Sequence, residues 1–355
     1  YTVTTSRATH LCITGILKQQ QADMLNETDI IPEGLLEAEA TELLDLLGSP
    51  TLIHLQGEQP EPLFISTLLH GNETTGFYAV KRLLQAYADK PLPRAVSILI
   101  GNVEAAAVEQ RRLDTQNDYN RIWPGTPHDD CNETDMMQTV THIMRKRKPF
   151  ASIDIHNNTG MNPHYACVNI LNPHCIQLAG MFGNTVVYFT SPKGVQSAAF
   201  SDFCPAVVLE CGQSGQADGV THSYRYLESV LNLEKLSSEH PAHINLYHTV
   251  ARVTIPEIYS FSADKEADIR LLHELEKRNF DKIETGTTFA GYQPDSDANL
   301  VVTNESNEDV TDEFFDHQDG DIMLKKDVTL SMYTINERAI RQDCLCYLME
   351  QIHIG

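Results

Sequence analysis

Strand and helix signals alternate along the first two thirds of this 355-residue chain. Short runs rich in Val, Ile and Leu are typical of buried strands, and apolar residues recur at helical spacing between them. Such alternation favours a mostly parallel α/β sheet covered by helices on both faces. The predicted helices are 33–47, 73–88, 135–147 and 220–236, and the predicted strands are 51–55, 63–69, 95–101, 150–156, 186–190 and 206–210.

The pattern changes after residue 240. Strand-like runs at 243–255, 288–292, 300–303 and 328–335 follow one another, separated by acidic, Asn-rich turns. The length of the chain is typical of one large domain joined to a smaller one. We therefore expect an α/β domain over residues 1–240 and a smaller, β-rich domain over residues 241–355.

The charge of the chain excludes several classes of partner. Against 26 Lys and Arg stand 49 Asp and Glu, for a formal net charge of −23. A chain without a basic stripe is a poor ligand for nucleic acid or for an anionic membrane surface. Association with further copies of the chain remains compatible with this composition.

The sequence also bears on the compartment. No apolar run approaches the roughly 20 residues that span a bilayer, and residues 1–13 lack the basic-then-apolar layout of a secretory signal. The eight cysteines show no paired spacing of the kind that marks a disulfide framework. We expect a cytoplasmic protein with reduced thiols.

Three chemically active residues lie where predicted strands end. His70 follows one strand and Glu73 begins the next helix, while His156 ends another strand. In open α/β sheets, ligands bind at the carboxyl ends of the strands. Two histidines and one carboxylate are typical of a catalytic zinc site whose fourth position is open to water. The spacing of His70 and Glu73 alone is common by chance, so the prediction depends on the combination.

Two further features fit a hydrolytic site. Glu210 ends a wholly apolar strand, which suits a general base better than a structural role. Arg111, Arg112 and Arg121 form a local positive cluster in an otherwise acidic chain. The planar guanidinium group binds carboxylates through two parallel hydrogen bonds. The sequence therefore predicts a small ligand that carries a carboxylate.

The order of these motifs resembles the zinc carboxypeptidase superfamily and, within it, the succinylglutamate desuccinylase/aspartoacylase family. Residues 101–105 (GNVEA), 118–121 (DYNR), 210–213 (ECGQ) and 336–337 (NE) are similar to segments of that family. The resemblance is specific over about residues 60–235 and faint in the last third. It implies a zinc-carboxypeptidase-like fold, with a mostly parallel or mixed central sheet flanked by helices and a smaller β-rich C-terminal domain.

The resemblance also implies a metal and a base. His70, Glu73 and His156 would bind one Zn²⁺ per chain, and Glu210 would deprotonate the attacking water and pass the proton to the leaving amine. Asp154 matches no ligand, and we expect it on the opposite face of its strand in a structural role.

The remaining implied residues would contact the substrate. The arginine that stabilises the oxyanion falls at Arg111 or Arg112, and both stay candidates. Asn120 and Arg121 would hold the α-carboxylate of the substrate.

Two positions depart from the family pattern. Aspartoacylases carry an arginine before the strand that leads to the catalytic glutamate, whereas residues 196–202 contain none and Phe200 stands near the expected place. Ile340 replaces a substrate-binding tyrosine of the C-terminal domain. The prediction is a zinc-dependent hydrolase of an N-acyl amino acid, with no specific acyl group assigned. The alternatives are a metallocarboxypeptidase or peptide amidase, and a non-catalytic binding module on the same fold.

Overall fold

The computed structural model describes residues 24–125, 131–239, 243–293 and 296–353. Residues 1–13 therefore lie outside the described part, as does the predicted domain boundary at residues 240 and 241. The strands are β1 (Asn26–Thr28), β2 (Thr51–Leu55), β3 (Gly57–Thr67), β4 (Leu92–Ile100), β5 (Ala151–His156), β6 (Tyr165–Val168), β7 (Thr185–Tyr188), β8 (Ala206–Glu210), β9 (Asn245–Thr254), β10 (Phe261–Ser262), β11 (Ile269–Arg270), β12 (Lys282–Ile283), β13 (Thr288–Tyr292), β14 (Val301–Asn304), β15 (Phe315–Gln318), β16 (Asp321–Leu324), β17 (Val328–Ser331) and β18 (Cys346–Ile352).

Helices separate most of the strands in the first two thirds of the chain, as the alternating pattern predicts. None of the described helices is long and apolar enough to cross a membrane. They are α1 (Leu43–Leu47), α2 (Thr75–Ala86), α3 (Val103–Ala107), α4 (Asn132–Arg147), α5 (Pro173–Phe182), α6 (Gln196–Ser201), α7 (Ala217–Leu231), α8 (His273–Glu276), α9 (Thr311–Phe314) and α10 (Glu337–Gln342).

The predicted helix over 33–47 is wrong in its first half. Residues 33–37 form turns, and α1 begins at Leu43 after a 3-10 turn at Ala40–Glu42. Gly34 adopts a φ of 85°, in the left-handed region that a right-handed helix cannot include. The prediction followed the amphipathic spacing of this segment and gave too little weight to Gly34, which disfavours a helix.

The described residues divide into two compact units. The first comprises the described residues up to His156, with Lys193–Ala206 and Leu227–Glu234. Its strands lie in the order β1-β2-β4-β3-β5, and β2 and β4 are the antiparallel pair among parallel neighbours. Helices α2, α4 and α6 pack on β3 and β5. This unit confirms the predicted mixed α/β architecture.

Strands β3 and β5 place side chains on two distinct faces. They are parallel, with Ser66 directly beside Asp154 in the register. On one face, the Gln196 side chain of α6 donates to the hydroxyl of Ser152 (2.6 Å). On the other, Gly76 of α2 lies so close to Thr67 that an added Cβ would stand 2.5 Å from its hydroxyl oxygen. The close approach of α2 therefore requires glycine at this position.

The second unit is rich in strands. It comprises Asn157–Pro192, Val207–Tyr226 and the described residues from Lys235 onward. One group of strands runs β8-β6-β7-β9-β18-β17-β12, with β14 on β9, and a separate sheet runs β10-β11-β13-β16-β15. Apolar residues of β9 to β18, including Phe289, Val302 and Leu330, form its core. The predicted β-rich character of the C-terminal third is confirmed.

Candidate metal centre

The loop after β3 brings His70 and Glu73 together. The chain turns at Leu68, whose φ is 56°, and the Glu73 amide donates to the His70 carbonyl (3.1 Å). Gly71 passes close to α3, and an added Cβ would lie 2.2 Å from the backbone nitrogen of Ala106. The turn therefore requires glycine between histidine and carboxylate, and it directs both side chains to one point.

His156 completes a buried cluster with these two residues. Its Nδ1 lies 2.7 Å from Glu73 Oε2, and the Nδ1 of His70 lies 2.8 Å from Glu73 Oε1. The three potential ligand atoms lie within 4.8 Å of one another. Their residues are 3%, 7% and 4% exposed in the order His70, Glu73, His156. The structure thus brings together the three residues that the sequence predicts as metal ligands.

The donor set fits a zinc ion. Both imidazoles turn Nδ1 toward Glu73 and direct Nε2 to a further carboxylate. The Nε2 of His70 lies 3.0 Å from Asp118 Oδ1, and the Nε2 of His156 lies 2.8 Å from Asp154 Oδ2. Histidines that bind a metal through one ring nitrogen almost always donate the other N–H to such a group, which fixes the ring. This arrangement leaves two nitrogens and one carboxylate for the metal.

The electrostatics of the cluster favour a cation. The carboxylates of Glu73, Asp118 and Asp154 outnumber the guanidinium groups of Arg111 and Arg121. Burial alone would raise the pKa of the Glu73 carboxyl, but the adjacent His70 and His156 hold it below its usual range. Burial would lower the pKa of His156, yet Asp154 and Glu73 raise it well above the ordinary value. A divalent ion bound by His70, Glu73 and His156 would supply positive charge beside these carboxylates.

Asp118 links the cluster to an arginine. Its Oδ1 accepts from the Asn120 amide (2.8 Å) as well as facing His70, and its Oδ2 accepts from Arg111 Nη2 (2.9 Å) and Nε (3.2 Å). Arg111 Nη1 also lies 3.6 Å from Glu73 Oε1. Burial would raise the pKa of Asp118, but Arg111 and then His70 hold it well below its usual range. Asp118 therefore stays charged and orients a ring and a guanidinium together.

The other arginines of the positive cluster have different surroundings. Arg112 donates through Nη1 to the carbonyls of Leu113 (3.4 Å) and Gln116 (3.1 Å), which bind it to its own loop. Arg121 donates to the Asn120 carbonyl (2.9 Å), and its charge also lowers the pKa of Asp118. Of the two arginines left open by the sequence, Arg111 is the one that lies beside the three predicted metal ligands His70, Glu73 and His156, here called the metal-ligand cluster.

Asn120 is buried between two parts of the first unit. Its Oδ1 accepts from the Gln196 amide (3.0 Å), and its Nδ2 lies 3.2 Å from His156 Nε2. The side chain of Asn120 therefore positions the loop beside His156. Its predicted part in holding the substrate stays a prediction.

Glu210 lies in the second unit, as the last residue of β8. It stands opposite Tyr165 in the antiparallel register with β6 and is 6% exposed. Its Oε2 accepts from Asn158 Nδ2 at 3.4 Å. Burial, and after it the Glu210 carboxylate, raises the pKa of the Tyr165 hydroxyl well above its usual range. Glu210 is thus a buried carboxylate that ends an apolar strand.

The prediction that Asp154 faces away from His156 is wrong. Residues two apart in a strand share a face, so the Asp154 carboxylate meets the imidazole of the residue that ends β5. The same spacing in the sequence could have revealed this contact. No local sequence pattern links Asp118 to His70, because the two residues meet only after the chain between them reverses direction.

The two positions that depart from the family pattern belong to hydrophobic cores. Phe200 is fully buried and stacks on Phe64, with ring centroids 4.6 Å apart. Trp123 meets the same ring edge-on at 5.8 Å. Ile340 is 4% exposed and belongs to the core of the second unit. Neither side chain supplies a charge or a hydroxyl to a ligand.

Comparisons with known proteins agree with this architecture. The chain is similar in fold to the succinylglutamate desuccinylase of Vibrio parahaemolyticus, with a TM-score of 0.59 and 16% identity over 85% of this chain and 86% of that one. It is also similar to murine aminoacylase 3, with a TM-score of 0.55 and 16% identity over 83% of this chain and 96% of that one. At such identities the likeness shows the fold. No curated protein matches the chain.

A family profile matches the part of the chain that holds the cluster. Residues 60–232 match the succinylglutamate desuccinylase/aspartoacylase catalytic domain. That range includes His70, Glu73, His156 and Glu210. Residues 60–232, just under half of the chain, are therefore similar to the catalytic domain of the succinylglutamate desuccinylase/aspartoacylase family.

Proposed function

We propose that this chain is a zinc-dependent hydrolase that cleaves the amide bond of an N-acyl amino acid. The observation that carries the proposal is the buried His70, Glu73 and His156 cluster, whose two Nε2 atoms are held by Asp118 and Asp154. The family-profile match over residues 60–232 and the fold shared with desuccinylases and an aminoacylase support the same reaction class. A bound zinc ion would act as a Lewis acid and lower the pKa of water toward about 7.

Proton transfer, oxyanion stabilisation and substrate binding would be carried out by residues of the protein. The Glu210 carboxylate takes a proton from the attacking water and returns it to the amine that leaves. Arg111 donates to the oxygen on which negative charge develops, since its guanidinium already lies beside Glu73. Arg121, with Asn120, binds the carboxylate of the amino-acid portion, so the substrate is a small carboxylate-bearing molecule.

We also propose that the protein works in the cytoplasm. Among the described residues, seven cysteines are thiols rather than halves of disulfides, and six of them are buried: Cys167, Cys175, Cys204, Cys211, Cys344 and Cys346. Buried free thiols are typical of proteins from reducing compartments.

A substrate screen with metal analysis tests the proposed function. We expect about one zinc per chain and hydrolysis of at least one acyl-amino acid in a panel of N-acetyl and N-succinyl derivatives. Removing the zinc with a chelator should abolish turnover, and adding zinc back should restore it. Release of C-terminal residues from peptides instead would favour a metallocarboxypeptidase, and stoichiometric metal without turnover would favour a binding module.

Arg111 and Arg112 should differ sharply when each is replaced by alanine. Loss of one donor to a developing oxyanion typically costs about 10²–10³ in kcat, and we expect a loss of that size for Arg111→Ala. Arg112→Ala should change kcat by less than about tenfold, because its donors serve the carbonyls of Leu113 and Gln116. Steady-state kinetics at saturating zinc measure both. Equal losses, or a larger loss at Arg112, would contradict the assignment to Arg111.

A further inference from the structure

Ser66 contacts Asp154, which in turn contacts His156 of the metal-ligand cluster. Its hydroxyl donates to Asp154 Oδ1 (2.7 Å), while Asp154 Oδ2 accepts from His156 Nε2 (2.8 Å). Ser66 and Asp154 are neighbours in the parallel register of β3 and β5, and both are fully buried. Each carboxylate oxygen of Asp154 thus has one partner, one on the adjacent strand and one in the cluster.

We propose that Ser66 is a positioning residue that sets the zinc affinity of the site by fixing Asp154 and, through it, the His156 ring. The inference rests on the proposed function, since it assumes that His156 binds zinc. It assigns to a residue of β3 a part in the site that the family motifs do not include.

The physical reason is the freedom of an aspartate carboxylate to rotate. The torsion about its Cβ–Cγ bond has broad, shallow preferences, so hydrogen bonds decide its orientation. Among the described residues, Ser66 and His156 are the partners of the Asp154 oxygens. Without the hydroxyl, one oxygen of a fully buried carboxylate would have no donor, which is costly in a low-dielectric interior. The carboxylate would then reorient, and the His156 ring would lose its fixed direction.

The same sheet offers a matched control. Ser97 of β4 is fully buried, and its hydroxyl lies 2.8 Å from the Nδ1 of His54, its register neighbour on β2. Ser66 and Ser97 thus each bond a buried side chain on an adjacent strand. His54 lies outside the metal-ligand cluster, so removing the Ser97 hydroxyl should perturb packing to a similar extent without touching the metal site.

Zinc affinity, measured by competition with a chromophoric chelator, tests the proposal without any substrate. Removal of a direct partner of a metal ligand costs about 10–100-fold in affinity. We expect Ser66→Ala, one bond further out, to weaken zinc binding by about threefold to tenfold. Ser97→Ala should stay within about twofold of the parent. The absorption spectrum of the cobalt-substituted protein should also change with Ser66→Ala and not with Ser97→Ala.

Two further variants separate positioning from general loosening. Ser66→Cys nearly preserves the volume but offers only a weak donor, so it should weaken zinc binding even if Ser66→Ala fails to fold. In an Asp154→Ala background, adding Ser66→Ala should change the affinity no further, because the two residues act in series.

Several results would overturn the inference. Equal losses of zinc affinity for Ser66→Ala and Ser97→Ala would indicate loosened packing. If Ser66→Ala still weakened zinc binding in the Asp154→Ala background, Ser66 would not act through Asp154. Parent-like affinity of a folded Ser66→Cys protein would exclude the hydrogen bond as the cause. Absence of amide hydrolysis in a protein that binds zinc would overturn the proposed function alone, whereas a parent protein that binds no zinc would overturn both.

Discussion

Glu210→Gln is expected to reduce hydrolysis of the N-acyl amino acid by about 10³-fold while zinc remains bound. A positioned general base typically contributes 10²–10⁴-fold, and an amide cannot accept the proton. Glutamine has nearly the same shape as glutamate and can still accept from Asn158, whose Nδ2 lies 3.4 Å from Glu210 Oε2. The loss should therefore reflect proton transfer rather than misfolding. Steady-state kinetics together with metal analysis of the same preparation measure it.

The control for this substitution is Glu257→Gln, an exposed position in the same unit. It removes the same charge from a strongly acidic chain and should leave kcat/KM at the parent value. A Glu210→Gln protein that kept its zinc and hydrolysed substrate within about tenfold of the parent would show that another group acts as the base.

Asp118→Asn should lower both the zinc affinity of the site and kcat. The His70 Nε2–H would lose a charged acceptor at 3.0 Å, which should lower zinc affinity by about 10–100-fold. Arg111 would lose its ion pair at 2.9 Å and with it a fixed orientation beside Glu73. We therefore expect kcat to stay reduced by about tenfold or more even when zinc is saturating.

Two measurements separate the roles of Asp118. Chelator competition reports its effect on His70, and kcat at saturating zinc reports its effect on Arg111. Asp114→Asn, at an exposed position of the same loop, should alter neither quantity. If zinc affinity and kcat of the Asp118→Asn protein matched those of the parent, the contacts of Asp118 would be structural only.

The fold class was accessible from the sequence because it depends on periodic signals. Alternating strand and helix patterns arise from residues near one another in the chain, and the strands at 51–55, 206–210 and 288–292 appear within the same bounds in the structure. The helix α5 was not predicted, although Asn172 caps it by accepting from the His174 amide (2.9 Å) and Pro173 begins it. That short polar signal was available, but apolar periodicity alone did not reveal it.

The candidate site was accessible only in part. The residues His70, Glu73 and His156 stand out because each lies where a strand ends, and that rule requires no tertiary information. The choice between Arg111 and Arg112 required the loop conformation, since adjacent residues with the same side chain differ only in where the backbone directs them. Asp118 was equally hidden, because its contact with His70 joins positions 48 residues apart.

The types of reactive group at the candidate site can be read from the sequence: two imidazoles and a carboxylate at strand ends, a glutamate that ends an apolar strand, and arginines in an acidic protein. Their orientation depends on tertiary contacts: Nδ1 of both histidines faces Glu73, Nε2 faces Asp118 or Asp154, and Ser66 donates to Asp154. The reason is physical. Residue types and their periodicity are properties of short stretches of sequence. The direction of a ring or a guanidinium is set by hydrogen bonds between segments that meet only when the sheet forms.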